Sequence, residues 1–222
     1  MKKIKYSLFY DFHTSPLIPD VGKNFQVEQF TDNLKACGVD FLTWHARCNQ
    51  GNAYYNTRFG CRHPSLQYDL FREIAESCHR KGIRISAYFN GGLSDEELLQ
   101  HRDWMRIAPD GRCLNEYRLT PYARATCYNS PFREHLKNMV REMAEEYPVD
   151  GFFFDCMSNQ STCVCPYCVR EMKEKGIDFN NPGELGKFTG DSVLRLAREL
   201  HDLIKSILPE ALFFLSGLLG IL

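Results

Sequence analysis

The sequence predicts an α/β architecture, a parallel sheet wrapped by helices, on three observations. Short runs rich in β-branched and aromatic residues alternate with longer segments of helical period. Glycine stands immediately before a strand in both "KACGVDF" and "HRKGIRIS", the expected helix-to-strand connection. Each strand-like run is apolar until its C-terminal end and turns polar there.

The first strand reads as "IKYSLFYDFH" (4–13). A helix follows in "NFQVEQFTDNLKACG", with Phe25, Phe30, Leu34 and Cys37 on one face and Gly38 as its stop. The second strand is "VDFLTWHAR" (39–47), and the helix "SLQYDLFREIAESCHRKG" is closed by Gly82. The third strand is "IRISAYFN" (83–90), followed by an irregular insert at about 91–130. The helix "SPFREHLKNMVREMAEEY" opens with Ser130 as N-cap and Pro131 at its first position. "VDGFFFD" is the fourth strand, helical stretches cover 166–175 and 184–207, and "ALFFLSG" (211–217) is the fifth strand.

The polar strand ends are Asp11 and His13, His45 and Arg47, Asn90, Asp155 and Ser216. In a (β/α)8 TIM barrel the C-terminal strand ends form the active-site face. Open doubly wound sheets also bind ligands there. No G-x-G-x-x-G or phosphate-loop pattern follows a strand, so nucleotide readings lose support. A full barrel takes eight βα units over about 250 residues, and about five are present. Residues 1–222 are therefore expected to be a partial barrel, the N-terminal part of a longer one.

Composition is that of an ordinary soluble domain, with 44% apolar and 25% charged residues. A net charge of −1 argues against nucleic acid or an anionic membrane surface as a partner. There is no run of about 18 apolar residues. The start, "MKKIKYSLFYDFH", is interrupted by Asp11 and His13 and lacks a secretory pattern. The expected location is cytoplasmic, and the ten cysteines are expected as reduced thiols or metal ligands.

The segments "FYDFHT", "FLTWHARC", "ISAYFN", "CYNSPFREHLKNMVREMAEEYPVDGFFFD" and "CVCPYC", in this order, carry a resemblance. Together they resemble the N-terminal catalytic barrel of the hypothetical glycosyl hydrolase group related to α-L-fucosidases. In that group the barrel is often followed by a β-galactosidase-trimerisation-like domain. The resemblance covers residues 4–217. It implies a glycoside hydrolase with a carbohydrate substrate, no organic cofactor, and homo-oligomerisation open for the full-length form.

The resemblance also places the nucleophile of a retaining mechanism at the end of strand four, where Asp155 stands. Such enzymes need a second carboxylate about 5–5.5 Å away as acid/base. That group is expected outside this chain, with Glu116 and Asp11 as weaker internal candidates, so the fragment is expected to be inactive alone. The bland reading of Asp155 is a turn cap. His13, His45, Arg47, Asn90 and Tyr128, with Asn129, are expected to line the substrate face. Trp44, Tyr88 and Phe89 read as core. A non-catalytic sugar-binding barrel is one alternative. A metal-dependent hydrolase using His13 and His45 with Asp11 is another, although strand one carries D-F-H rather than H-x-H.

Cys163-x-Cys165-x2-Cys168, with Cys156 seven residues earlier, is the last motif. Four thiolates would satisfy a tetrahedral structural zinc, and such a site leaves no open position for catalysis. Free buried thiols and a disulfide remain competing readings. The other six cysteines read as small buried apolar residues.

Overall fold

The computed structural model describes residues 3–113, 124–157 and 162–216. In chain order, β1 (Ser7–Phe9) leads through α1 (Val27–Ala36) to β2 (Phe41–Arg47). Two short strands, β3 (Asn52–Ala53) and β4 (Cys61–Arg62), precede α2 (Leu70–Arg80) and β5 (Arg84–Asn90). A short helix, α3 (Glu96–Gln100), lies in the insert. The remaining elements are α4 (Phe132–Glu146), β6 (Gly151–Asp155), α5 (Pro166–Glu174), α6 (Pro182–Ile207) and β7 (Leu212–Leu215).

β1, β2, β5, β6 and β7 are parallel neighbours in that order. These are the five units of the partial barrel that the sequence predicts. β3 pairs antiparallel with the C-terminal end of β2, beyond the stretch that β1 covers. Helix α6 has 26 residues, yet no described helix is long and apolar enough to cross a membrane.

Local sequence explains these elements. In α2, Leu70, Phe71, Ile74, Ala75 and Cys78 recur at helical spacing and all are buried. Asp69 caps α2 by accepting from the Arg72 amide at 3.0 Å, an interaction of a kind worth about 1 kcal/mol. Gly38 and Gly82, just past α1 and α2, sit at φ 78° and 70°, where a Cβ would be strained. The first strand is shorter than expected because side chains take its outer amides. Asp40 accepts from the Lys5 and Tyr6 amides.

The sheet has two unlike faces. Leu42, Trp44, Ala46, Ile85, Ala87, Phe89, Phe152 and Phe154 face the helices and form the main core. The opposite face carries an aromatic layer. Phe9 stacks on Tyr88 at 5.3 Å and on Phe153 at 5.5 Å, and Phe153 meets Phe214 at 6.4 Å. Phe9 is 42% exposed and Phe214 37%. This is the face that a closed barrel fills with layers of side chains.

The alternation breaks once. The pairing of β2 with β5 shifts between His45 and Arg47, so His45 stands opposite Tyr88 but Arg47 opposite Phe89. This bulge turns Arg47 to the helix side, while His45 keeps the opposite side, facing the same way as Tyr88. The insert is tied back by isolated bridges, Leu93 to Ala125 and Met105 to Thr126.

Candidate active site

Asp155 ends β6 on the rim formed by the C-terminal ends of the parallel strands. Its Oδ2 accepts from the Tyr88 hydroxyl at 2.7 Å, and its Oδ1 accepts from the Ser216 hydroxyl just after β7. Burial pushes this carboxyl up, but the Ser216 and Tyr88 hydroxyls and the Cys156 amide outweigh it. The net effect holds Asp155 below the usual carboxylate range. An anion is thus held ready at a strand end.

The pKa values of His45 and His13 are shifted in opposite directions. The His45 ring is fully buried and stacked on Tyr88 at 4.0 Å. Burial, with the His13 charge nearby, lowers its pKa to about 2, so the ring is neutral. Its Nε2 lies 3.0 Å from the Asp11 Oδ1, a hydrogen-bond contact of a neutral ring rather than an ion pair, and 3.4 Å from the Phe12 amide. Nδ1 is left buried without a partner among the described residues. His13 contacts the same Oδ1 at 3.1 Å. Burial lowers His13, but the Cys48 thiol and the Asp11 carboxylate outweigh it and raise its pKa. Asp11 and His13 are the partly exposed members of this group.

Other expected site residues have different parts. Arg47 is fully buried, with Nε on Glu97 at 3.2 Å, NH2 on Glu97 and on the Leu93 carbonyl, and NH1 on the Asn90 carbonyl. Its donors are used inside the protein rather than offered to a substrate. Asn90 is 1% exposed, and its Oδ1 accepts from the Gly92 and Leu93 amides at 3.2 and 3.0 Å. Tyr128 is 2% exposed, and its hydroxyl points to the Cys156 carbonyl. Asn129 donates to Ser192 at 3.0 Å and to Cys168. Glu116 lies outside the described residues.

Four buried thiols form a second cluster. The sulfurs of Cys127, Cys163, Cys165 and Cys168 all lie within 4.8 Å of one another. Cys127 is 3.5 Å from Cys168 and 3.4 Å from Cys165. A tetrahedral zinc with bonds of about 2.3 Å requires sulfurs about 3.8 Å apart, so the set can hold such an ion. Hydrogen bonds from the neighbouring sulfurs hold the Cys163 thiol far below its usual range. All ten cysteines are free thiols in this structure. The fourth member is Cys127, in place of the expected Cys156. Cys156 has a left-handed backbone, φ 56°, and its side chain interacts with Asn90 and Asp155.

A family model described as hypothetical glycosyl hydrolase 6 matches residues 26–156, more than half of the chain. The chain belongs to this family. The match runs from the residue before α1 to the residue after Asp155.

 The barrel strands inside the match are thus three, β2, β5 and β6, while β1 and β7 flank it.

Solved structures extend the likeness of this hypothetical glycosyl hydrolase to nearly the whole chain. α-L-Fucosidase isoenzyme 2 from Paenibacillus thiaminolyticus is 25% identical over 95% of this chain, with a TM-score of 0.87. The match covers 32% of the fucosidase, so the chain spans about a third of that protein. The glycoside hydrolase domain of PgaB (BpsB) from Bordetella bronchiseptica shares the fold at 13% identity and a TM-score of 0.68, over 96% of this chain and 65% of that one. A β-galactosidase from Bacillus circulans sp. alkalophilus does so at 15% identity and 0.66, over 98% of this chain and 37% of that one. No curated protein matches the chain significantly.

Tyr88, Cys127 and the Glu97 partner of Arg47 are functional candidates that the sequence does not single out. Tyr88 was open to discovery, because period two puts it on the same face as Asn90, two residues on. Cys127 was not, since it lies 41 residues from Cys168 with no local spacing to mark it.

Proposed function

We propose that this hypothetical glycosyl hydrolase supplies part of the catalytic barrel of a retaining glycosidase, with Asp155 as the nucleophile. The observation that carries the reading is the Asp155 carboxylate, kept ionised at a strand end by Tyr88 and Ser216. A carboxylate so held can attack an anomeric carbon and form a glycosyl-enzyme intermediate. The acid/base is assigned to a carboxylate on a later strand of the complete barrel, with Asp11 as its internal competitor. His13 and Asp11 are the groups on this rim that reach solvent and can bind sugar hydroxyls. An α-L-fucoside is the first substrate class to try, given the likeness to a fucosidase.

The test uses a protein carrying the complete barrel and a panel of nitrophenyl glycosides that includes α-L-fucoside and β-D-galactoside. Turnover with retained anomeric configuration, abolished in Asp155→Gly and partly restored by azide, supports the assignment. Undiminished turnover in Asp155→Asn refutes it. Sugar binding without turnover in the wild type would make the protein a sugar-binding barrel instead.

Two metal readings accompany this one. We assign a structural zinc to Cys127, Cys163, Cys165 and Cys168, because their donor set and spacing suit a closed tetrahedral site. A metal-dependent hydrolase at Asp11, His13 and His45 is the second functional reading, favoured by the convergence of their ligand atoms within 4.8 Å. Metal analysis of Cys127→Ser and His13→Ala variants separates the two sites.

A further inference from the structure

Cys127 lies between two residues that both reach the Asp155 strand end. On one side, the Thr126 amide and hydroxyl donate to the Gly92 carbonyl at 2.9 and 3.1 Å. Gly92 is pressed so closely on Cys156 that an added Cβ would meet the Cys156 carbonyl oxygen at 1.8 Å. The Gly91 amide donates to the Asp155 carbonyl at 2.8 Å. On the other side, the Tyr128 hydroxyl donates to the Cys156 carbonyl at 3.4 Å.

The turn held in this way is an unusual one. Cys156 sits at φ 56°, a left-handed conformation that a non-glycine residue keeps only when its surroundings impose it. Asp155 is the residue before it, so the direction of its carboxylate depends on that turn. The clamp has one arm through Gly92 and one through Tyr128, and the two arms meet at Cys127. Cys127 is in turn fixed by its contacts with Cys165 and Cys168. The cysteine loop joins the insert a second time where the Val164 amide donates to the Ile107 carbonyl at 2.8 Å.

We propose that Tyr128 is a positioning residue for Asp155, and that a metal ion at Cys127, Cys163, Cys165 and Cys168 sets the grip of this clamp. The inference rests on Asp155 as the reacting carboxylate and on the metal reading of the thiols. The centre then has a task beyond holding the loop together. It transmits its occupancy, through the residues flanking Cys127, to the turn that aims the nucleophile.

The test is made on the full-length protein, comparing wild type loaded with cobalt(II), wild type stripped by a chelator, Tyr128→Phe and Cys127→Ser. Three readouts are taken. These are the thiolate-to-cobalt absorption, hydrogen–deuterium exchange of the peptides covering 90–93 and 155–157, and kcat and KM on whichever glycoside the wild type turns over. Tyr128→Phe is expected to keep its metal, to speed exchange at 155–157 by roughly two- to tenfold, and to lower kcat with KM unchanged. Stripped wild type is expected to show the same increase at 155–157 with its circular dichroism retained.

The inference is overturned if exchange at 155–157 is unchanged in both Tyr128→Phe and the stripped wild type. A wild type that binds no cobalt overturns the metal half. If Cys127→Ser fails to fold, the stripped wild type and Tyr128→Phe decide the matter. If no glycoside is turned over, the exchange readout still judges the clamp, and the failure falls on the nucleophile assignment alone.

Discussion

Tyr88 donates to Asp155 at 2.7 Å while its ring lies flat against His45 at 4.0 Å. One side chain therefore joins the ends of β2, β5 and β6. The stacked imidazole fixes the phenol ring, and the phenol hydroxyl fixes the carboxylate.

Tyr88→Phe should keep the ring and lose only the donor. The Asp155 carboxyl is held low by its hydrogen bonds against the effect of burial, so removing one raises it. In the proposed mechanism the ionised form reacts. The acid limb of the kcat/KM profile should therefore move to higher pH, and activity should fall roughly 10- to 100-fold. A pH–rate profile that overlays the wild type would remove Tyr88 from the site.

His45 should make the protein acid-sensitive. Its folded pKa of about 2 lies below the ordinary 6.5, so the unfolded chain binds a proton that the folded chain does not. The stability that follows is fully present above pH 6.5 and is lost as pH falls from there toward 2. His45→Phe keeps an aromatic ring at this place and removes the titration. Urea unfolding of both chains at several pH values should show a shallower acid loss in the variant, and parallel curves would count against a neutral buried imidazole.

Arg47 and Glu97 form a buried ion pair whose halves need each other. Arg47→Met should cost about 3–5 kcal/mol, because Glu97 is left buried without its main cation. The double variant Arg47→Met with Glu97→Leu should lose less than the single one. Glu97 is pushed up by burial but pulled down to about 2 by Arg47 and His135. Its contribution is present above pH 4.5 and fades as pH falls toward 2. Denaturant midpoints for wild type, single and double variants measure this.

Thiol titration should resolve the cysteines into classes. Cys37 is exposed and should react first, while Cys127, Cys163, Cys165 and Cys168 should react only after a chelator is added. Ten thiols reacting in one phase without a chelator would exclude a bound metal.

Much of the fold could be read from period and punctuation. The helical repeat of α2 and the glycines before β2 and β5 are local signals, and they locate the barrel units correctly. The polar strand ends share one rim, with Asp155 at the end of β6. The errors arise where local pattern gives way to tertiary geometry. Arg47 shares parity with His45, and only the bulge in β2 sends it to the helix side. Cys127 joins its partners through the return of a long insert, which no spacing rule encodes. Tyr88 reads as core from sequence because a buried ring and a site hydroxyl belong to the same side chain.

Gly92 has a consequence at the level of codons. Every missense change reachable by one nucleotide from a glycine codon adds a Cβ, and at this position the Cβ would collide with backbone rather than with a movable side chain. A saturation library should therefore find residue 92 closed to all replacements. Any lineage that keeps the turn before the cysteine loop inherits the same restriction.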